Sequence, residues 1–257
     1  MCELFGVSAD ARIEVNGLLK EFFSHSERHP NGWGLAVFHE NSASVEKEPV
    51  TAVHSSYLRK RLSHRIATRS LIAHIRLATI GSMDYENCHP FVQRDRYGRC
   101  WTFAHNGTMF DCPVLSPYFH VQEGRTDSER VLCYFIQQIN EASAAAGREL
   151  TAEERFSLID RLVCRMTPGN KMNFLLHDGE AMYVHTNYAN SLYFAQREEG
   201  VLFATVPLGH ERWEPVPFTT LCVYQGGRQV YTGACHGNEY FDNEDDMRFL
   251  YLDSAAL

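Results

Sequence analysis

The sequence predicts an α+β fold in which β-sheets are covered by helices. Apolar residues recur with helical spacing in two parts of the chain, and short apolar runs typical of strands surround them. The last third is almost entirely strand-like, with turn residues between the runs. Many strands combined with two groups of helices favour layers of sheet packed under layers of helix.

The first elements can be placed in order. Residues 2–8 alternate well enough to predict a strand, and apolar residues then recur on one helical face: Val15, Leu18, Leu19, Phe22 and Phe23. This helix must end before His29-Pro30, where one proline and two glycines within six residues mark a tight turn. Further along we expect a strand at 35–38, a basic helix at 57–66, a buried strand at 71–75 and a polar loop at 81–90.

The middle of the chain predicts two long helices. One begins at Asp127 and ends at Gly147, and the other begins at Thr151, where Glu154 three residues later completes a capping box, and ends before Pro168-Gly169. We expect the two helices to be adjacent and antiparallel. Before them lies a strand at 100–105, and after them lie strands at 173–177, 181–186, 192–195, 201–205, 219–224 and 230–232.

Composition narrows the class of protein. The chain has 257 residues, of which 44% are hydrophobic, and no repeat, linker or composition break divides it, so we expect one domain over residues 2–257. A net charge of −8 without a basic stripe disfavours nucleic-acid binding. The chain has no apolar run of about 18 residues, so we expect no membrane span. Charged residues near the N-terminus interrupt the apolar region that a signal peptide requires. A cytoplasmic location is therefore expected.

The cysteine pattern gives no metal site. The eight cysteines include no Cys-x-x-Cys pair, and the thirteen histidines show no helical His-x-x-x-His spacing. Reduced thiols are the default for a chain without a secretion signal. We therefore expect no metal and no cofactor.

One cysteine has a special position. Cys2 directly follows the initiator methionine, so removal of Met1 would place a thiol and a free α-amine on the same residue. The α-amine has a reference pKa of about 7.7 to 8.0, so it can accept the thiol proton near neutral pH. Most cysteines are inert small hydrophobes, however, and a nucleophile is identified by its partners.

Four polar clusters at the ends of predicted elements could supply those partners. Each also has an ordinary explanation as a turn, a surface arginine or a helix cap. Asn106-Gly107 in particular is a usual hairpin pair. His74 and His105 end apolar runs, and we expect structural hydrogen bonding for both. The clusters are residues 31–34, 76–79, 105–108 and 124–129.

Taken together with Cys2, these clusters match a known pattern. The chain resembles the class II glutamine amidotransferases, whose glutaminase domains belong to the N-terminal nucleophile hydrolases. The resemblance rests on six ordered segments: Cys2-Glu3-Leu4-Phe5-Gly6, Asn31-Gly32-Trp33-Gly34, His74-Ile75-Arg76-Leu77-Ala78-Thr79, Asn87-Cys88-His89-Pro90-Phe91, Phe103-Ala104-His105-Asn106-Gly107-Thr108 and Thr126-Asp127-Ser128-Glu129. It extends into the tail through residues 205–208 and Trp213.

The resemblance implies a role for each site residue. Cys2 would be the nucleophile, its own amine the base, and Asn106 with the backbone N–H of Gly107 the oxyanion hole. Arg76 would bind the substrate α-carboxylate and Asp127 the α-ammonium. The pocket lining would comprise Thr79 and the turn that includes Asn31, Gly32 and Trp33.

The resemblance also implies a fold and an activity. The fold would be a four-layer αββα sandwich of two antiparallel sheets flanked by helices, and the activity would be cleavage of the γ-amide of glutamine, or of a γ-glutamyl amide, through a γ-glutamyl thioester. The chain departs from the large synthases in carrying Leu77 and Ile80 where those enzymes often have an aromatic residue and a histidine. We expect no synthase domain within it.

Two alternatives stay open: a glutaminase subunit that feeds ammonia to a separate synthase partner, and a non-catalytic glutamine or γ-glutamyl sensor. The sequence has no pattern that fixes an oligomeric state.

Overall fold

The computed structural model describes residues 2–39, 42–78 and 82–243. Four α-helices are present in these ranges: α1 (Asn16–Ser24), α2 (Ser56–Ser63), α3 (Asp127–Ala146) and α4 (Ala152–Met166). The strands are β1 (Glu3–Glu14), β2 (Trp33–His39), β3 (Ser42–Glu48), β4 (Ala67–Ile75), β5 (Phe91–Arg94), β6 (Cys100–His105), β7 (Phe174–His177), β8 (Met182–His185), β9 (Tyr193–Gln196), β10 (Gly200–Ala204), β11 (Glu214–Pro215), β12 (Cys222–Gln225) and β13 (Arg228–Thr232).

The strands form two antiparallel sheets. The seven-stranded sheet has the order β11-β9-β10-β1-β4-β2-β3, and the six-stranded sheet has the order β13-β12-β8-β7-β6-β5. The first strand of the chain, β1, therefore lies in the middle of its sheet between β10 and β4. Because β1 is central, its first residues are paired on both sides: Glu3 lies opposite Ile75 of β4, and Phe5 lies opposite Ala204 of β10.

Three apolar clusters separate four layers. The cluster between the sheets includes Leu4, Ile72 and Leu175. On the outer face of the seven-stranded sheet, α1 and α2 bury residues such as Phe22 and Leu58 against the sheet. On the outer face of the six-stranded sheet, α3 and α4 form a larger cluster with β6, β7 and β8. The αββα sandwich predicted from the resemblance is confirmed.

The predicted helices are confirmed with their caps. α3 ends at Ala146 and is capped by Gly147, whose φ of 68° is the left-handed conformation that glycine adopts without strain. α4 begins with a complete capping box, in which the Thr151 side chain accepts from the Glu154 N–H and the Glu154 carboxylate accepts from the Thr151 N–H. Both helices pack on the same apolar cluster of the six-stranded sheet. The capping residues and the apolar spacing were therefore sufficient to predict both helices.

Three strands were not predicted, and all of them lie at sheet edges. β3 and β11 are the two edges of the seven-stranded sheet, and β5 is an edge of the six-stranded sheet. An edge strand buries less of its surface, so its apolar alternation is weak; β3, for example, has only half-buried and exposed residues. β1 also continues to Glu14, six residues beyond the predicted end, through an irregularity in its pairing with β4.

The hairpin interpretation of Asn106-Gly107 is wrong. A two-residue hairpin with this pair requires positive φ angles, and neither residue has one. After β6 the chain instead runs alongside Lys171, with Thr108 and Lys171 forming an isolated antiparallel bridge. β6 itself pairs with β5 and β7. The segment after β6 is thus an extension of the sheet toward one end of the sandwich.

Within the described ranges, none of the helices combines the length and the apolar character that crossing a membrane requires.

Candidate active site

Cys2 lies at the start of the central strand of the seven-stranded sheet. β1 begins at the next residue, where Glu3 pairs with Ile75 at the end of β4. The Cys2 side chain is half-buried, and its Sγ atom is 3.4 Å from both the backbone N and the backbone O of Leu77. The thiol is therefore held by the main chain that follows β4.

The surroundings of Cys2 favour the neutral thiol. Burial raises the pKa of the Cys2 thiol, the Leu77 backbone contact and the Arg76 guanidinium lower it, and the Asp127 carboxylate raises it again; the net direction is upward. Arg76 and Asp127 both lie near enough to affect this titration. A thiol with a raised pKa needs a base to become a nucleophile.

Arg76 is a buried cation beside Cys2. Its side chain is 2% exposed, and one guanidinium nitrogen donates to the Ser82 carbonyl at 2.9 Å. Its backbone is also fixed, because its N–H donates to the Gly32 carbonyl at 2.8 Å and its own carbonyl accepts from the Asn31 N–H at 3.0 Å. The turn predicted to line the pocket therefore holds Arg76 in place.

The turn before β2 makes two further contacts that position this side of the site. The Asn31 side-chain oxygen accepts from the Ala78 N–H at 2.9 Å. Gly32 has a φ of +135°, and a Cβ there would lie 2.7 Å from the Cys88 Sγ atom. Only glycine fits this backbone and this space.

Trp33 and Gly34 have different surroundings. The Trp33 ring is fully buried in the apolar cluster under α1 and α2, with an edge contact to Phe23 at 5.7 Å between ring centroids. Its indole N–H donates to Glu48 at 3.1 Å. A Cβ on Gly34 would lie 1.9 Å from the His89 carbonyl oxygen, so the chain after Cys88 crosses directly over this glycine. Trp33 thus supports the turn from the helix-covered face of the sheet.

Asn106 and Gly107 follow the last residue of β6 on the facing sheet. Asn106 is 5% exposed, and its backbone N–H donates to the Asn173 carbonyl at 2.8 Å. Its side-chain amide has no hydrogen-bond partner among the described residues, so it can donate to a ligand. A Cβ on Gly107 would lie 2.0 Å from the Lys171 carbonyl oxygen. Glycine is therefore required by the close approach of the two chains.

Asp127 is the first residue of α3 and is 6% exposed. One carboxylate oxygen accepts from the Met109 N–H at 2.7 Å, and the other accepts from the Ser128 N–H at 2.8 Å. The negative charge at a helix N-terminus is also stabilised by the helix dipole. Asp127 is thus a rigid buried carboxylate whose lone pairs can accept further hydrogen bonds.

Histidines connect the two sides of the site. His105, 1% exposed, has Nδ1 at 3.0 Å from the Ser128 hydroxyl and Nε2 at 3.1 Å from the Lys171 carbonyl oxygen. His74 on the other sheet donates through Nε2 to the His105 carbonyl at 3.3 Å and stacks on His89. Structural hydrogen bonding was the prediction for His74 and His105, and both rings make such bonds.

The described site residues meet at one end of the sandwich. Cys2, Arg76 and Asp127 affect one another electrostatically, Asn31 and Gly32 bind the Arg76 backbone, and Asn106 and Gly107 continue β6. Thr79 lies outside the described residues. Sequence reasoning missed Leu77, Ser128 and Lys171 as contacts of the site. Leu77 and Ser128 lay inside clusters identified from the sequence. Lys171 had no local signal, because its contacts with His105 and Thr108 join positions more than 60 residues apart.

Metal ligation has no support in the part of the chain that the structure describes. No three His, Cys, Asp or Glu side chains there converge in a way that could hold a metal ion.

The fold and the site together define a class of protein. The glutamine amidotransferase class-II family matches residues 1–199, more than half of the chain, and this chain belongs to that family. Its two-sheet architecture is the N-terminal nucleophile hydrolase fold.

Individual relatives agree with this assignment. An uncharacterized protein of Methanocaldococcus jannaschii is 31% identical over an alignment that covers 90% of this chain and 71% of the relative. A solved structure described as a predicted glutamine amidotransferase from Pseudomonas aeruginosa is similar over 90% of this chain and all of its own, with a TM-score of 0.62 and 21% identity. The B. subtilis glutamine phosphoribosylpyrophosphate amidotransferase is similar over 90% of this chain and 48% of its own, with a TM-score of 0.63 and 17% identity.

Proposed function

We propose that this protein is an amidohydrolase that uses Cys2, after removal of Met1, to cleave the γ-amide of glutamine or of a γ-glutamyl compound. The observation that carries the proposal is the placement of Cys2 beside a buried cation and a buried anion, Arg76 and Asp127. An amino-acid head group carries the opposite pair of charges, so the two residues can select it. The proposal treats residues 2–257 as one glutaminase domain.

The reaction proceeds in two steps. In the first, the α-amine of Cys2 accepts the thiol proton, the sulfur attacks the γ-carbonyl carbon, and the C–N bond breaks as the amine returns the proton to the leaving nitrogen. This step leaves a γ-glutamyl thioester and releases ammonia or an amine. In the second step, water deprotonated by the same amine attacks the thioester, and the thiol is regenerated with glutamate as the product.

The facing sheet stabilises the charge that develops on the carbonyl oxygen. The Asn106 side-chain amide and the Gly107 N–H donate to the oxyanion in both tetrahedral intermediates. The Asn106 amide is suited to this role because no described residue uses its donors. The raised pKa of Cys2 is compatible with this chemistry because the proton moves to an amine on the same residue.

The head group is bound by two fixed charges. Arg76 donates to the α-carboxylate, and its planar guanidinium can make two parallel hydrogen bonds. Asp127 accepts from the α-ammonium with lone pairs that its backbone partners leave open. The backbone of Asn31 and Gly32 supports Arg76 in this proposal.

The test is release of glutamate from glutamine and from a panel of γ-glutamyl amides. Wild-type protein is compared with Cys2→Ala and with Cys164→Ala, a matched half-buried cysteine on α4. We expect turnover that vanishes in Cys2→Ala and is unchanged in Cys164→Ala. Intact mass is measured on the same samples, and active protein that retains Met1 would contradict the mechanism.

The identity of the preferred substrate separates the remaining alternatives. Turnover of glutamine that increases when a synthase is added would identify an ammonia-supplying subunit. Turnover of a larger γ-glutamyl amide alone would identify a dedicated hydrolase. Binding of glutamine without turnover, in protein that lacks Met1, would identify a sensor and refute the catalytic proposal.

A further inference from the structure

His105 has two different hydrogen-bond partners, and these fix its tautomer. Nε2 is 3.1 Å from the Lys171 carbonyl oxygen, which can only accept, so Nε2 must carry a proton. Nδ1 is 3.0 Å from the Ser128 hydroxyl, which can donate or accept. In a neutral ring Nδ1 therefore accepts from the Ser128 hydroxyl. Burial lowers the pKa of His105, and the neutral ring is favoured at neutral pH although Asp127 opposes this shift.

The Lys171 partner belongs to the chain that supports the oxyanion donors. Lys171 and Thr108 exchange two backbone hydrogen bonds, of 3.0 and 3.1 Å, on the far side of Gly107. The Lys171 carbonyl thus accepts from both Thr108 and His105, the residues that flank Asn106 and Gly107. This carbonyl fixes both ends of the two-residue segment that is proposed to hold the oxyanion.

The Ser128 partner belongs to the element that carries Asp127. Its backbone N–H donates to one Asp127 oxygen at 2.8 Å, and its hydroxyl lies 3.3 Å from the same oxygen. A hydroxyl has one proton, so while it donates to His105 it does not donate to Asp127. Asp127 then keeps that lone pair for a substrate ammonium group.

We propose that His105 is a positioning residue that joins the oxyanion segment to α3, so that the Asn106 and Gly107 donors keep a fixed separation from the Asp127 carboxylate. The inference rests on the proposed function and deepens it, because one imidazole then sets the distance between the reacting amide and the bound head group. A displaced segment would still bind substrate but would hold the oxyanion poorly. Misplacement by about 1 Å can cost on the order of 100-fold in rate.

Three variants of His105 and one control separate positioning from general stability. His105→Phe removes both hydrogen bonds, His105→Gln can keep a donor for the Lys171 carbonyl, and His105→Asn can keep an acceptor for Ser128. The control is His177→Phe, because His177 is also buried, at 3% exposure, and lies at the opposite end of the adjacent strand. Thermal midpoints are measured for all four.

The expected result is a loss in kcat with little change in KM. We expect His105→Phe to lower kcat by about 10- to 100-fold and KM to change less than about threefold, since the loss is confined to the transition state. His105→Gln should recover part of this loss, and His177→Phe should match wild type. A kcat for His105→Phe equal to that of the control, or a loss confined to KM, would overturn the inference.

A second readout does not depend on turnover and separates the two proposals. Nitrogen NMR of the His105 ring should show a neutral imidazole protonated at Nε2, and amide exchange at residues 106–108 should accelerate in His105→Phe and less in His105→Gln. If wild type cleaves no γ-amide, the proposed function fails. The NMR and amide-exchange measurements then still test whether His105 positions residues 106–108. A ring protonated only at Nδ1, or exchange unchanged by His105→Phe, would refute it.

Discussion

The six-stranded sheet has a buried polar network at each end, and the two networks differ in how completely they are paired. At the end opposite the candidate site, Asp178 follows β7 and accepts four hydrogen bonds. Two come from the Glu180 and Ala181 N–H groups, at 3.0 and 2.8 Å. The others come from Arg155 at 2.8 Å and from the Tyr183 hydroxyl at 2.9 Å. This carboxylate is fully satisfied inside the protein.

The network at the site end is incomplete. The Asn106 amide has no partner among the described residues, and buried nitrogens of Asn173, His74 and His89 also lack partners. Asn173 immediately precedes β7, so one short strand connects the incomplete network with the satisfied one. Leaving a buried polar group unpaired costs about 1 to 3 kcal/mol.

The difference indicates what each network does. A satisfied network stabilises the fold, and its loss should reduce stability without affecting chemistry. An incomplete network is kept at a cost in stability, and ligand atoms can complete it. Substitutions at the two ends of the sheet should therefore have opposite effects on activity and stability.

The largest expected effect is at the site end, from Gly107→Ala. The new Cβ would lie 2.0 Å from the Lys171 carbonyl oxygen and 2.4 Å from the His105 ring, so the oxyanion segment must move. We expect kcat/KM to fall by about 10³-fold, the upper end of the loss caused by removing one oxyanion-hole donor, because the movement displaces both the Asn106 and the Gly107 donors. Steady-state kinetics of glutamate release measures this.

The control for Gly107→Ala is Gly17→Ala. Gly17 lies in α1, and a Cβ added there would have no atom within 4 Å, so alanine at this position should leave activity unchanged. Activity of Gly107→Ala within tenfold of wild type would mean that the segment after β6 does not hold the oxyanion.

At the opposite end, Arg155→Met should reduce stability and leave chemistry intact. The Arg155 and Asp178 side chains are 4% and 0% exposed, so the substitution leaves a buried carboxylate without its cation. Breaking a buried ion pair in this way costs about 3 to 5 kcal/mol in the free energy of unfolding. Urea denaturation measures the loss, and kcat of the folded protein should stay within about twofold of wild type.

Arg148→Met is the matched control, because Arg148 pairs with Glu154 on the surface and should contribute far less to stability than the buried pair does. A fall in kcat for Arg155→Met, at a temperature where the protein is folded, would show that the two ends of the sheet are coupled.

Asn106→Ala tests the incomplete network directly, because it removes the unpaired side-chain amide. We expect kcat to fall by about 10²- to 10³-fold, with KM nearly unchanged, because in the proposed mechanism the amide acts only on the developing oxyanion. Stability should not fall, since no described residue loses a hydrogen bond to that side chain. Comparison with Asn106→Asp, which keeps the shape and cannot donate when ionised, tests the donor directly; equal activity of Asn106→Asp and wild type would contradict the assignment.

The sequence predicted the local features of this protein better than its hydrogen bonds between residues far apart in the chain. Capping boxes, helical periodicity and glycine positions act within a few residues, so α3, α4 and the turn at residues 31–34 could be recognised. The edge strands β3, β5 and β11 could not, because an edge has no complete apolar face. The proposed roles of the site residues come from the resemblance and not from any local signal. The links from His105 to Ser128 and Lys171 join positions 23 and 66 residues apart, and nothing local encodes them.

The smallest expected effect concerns pH and His177, the residue next to Asp178 in the sequence. Burial lowers the pKa of His177 from 6.5 to about 4, although Asp178 opposes the shift. Its folded pKa is below its unfolded pKa, so its contribution to stability is complete above pH 6.5 and is lost as pH falls through about 4. A difference of 2.5 pKa units at 1.36 kcal/mol each corresponds to about 3 kcal/mol.

His177→Phe removes this titration, so the variant should lose less stability than wild type as pH falls. Its free energy of unfolding relative to wild type should therefore rise by about 3 kcal/mol from pH 7 down to pH 4. Urea denaturation at several pH values measures the difference, and His64→Gln, at an exposed histidine, is the control. The other buried histidines titrate in both proteins and cancel in the comparison. Parallel pH profiles for wild type and His177→Phe would mean that His177 is already hydrated in the folded protein, and would contradict this prediction.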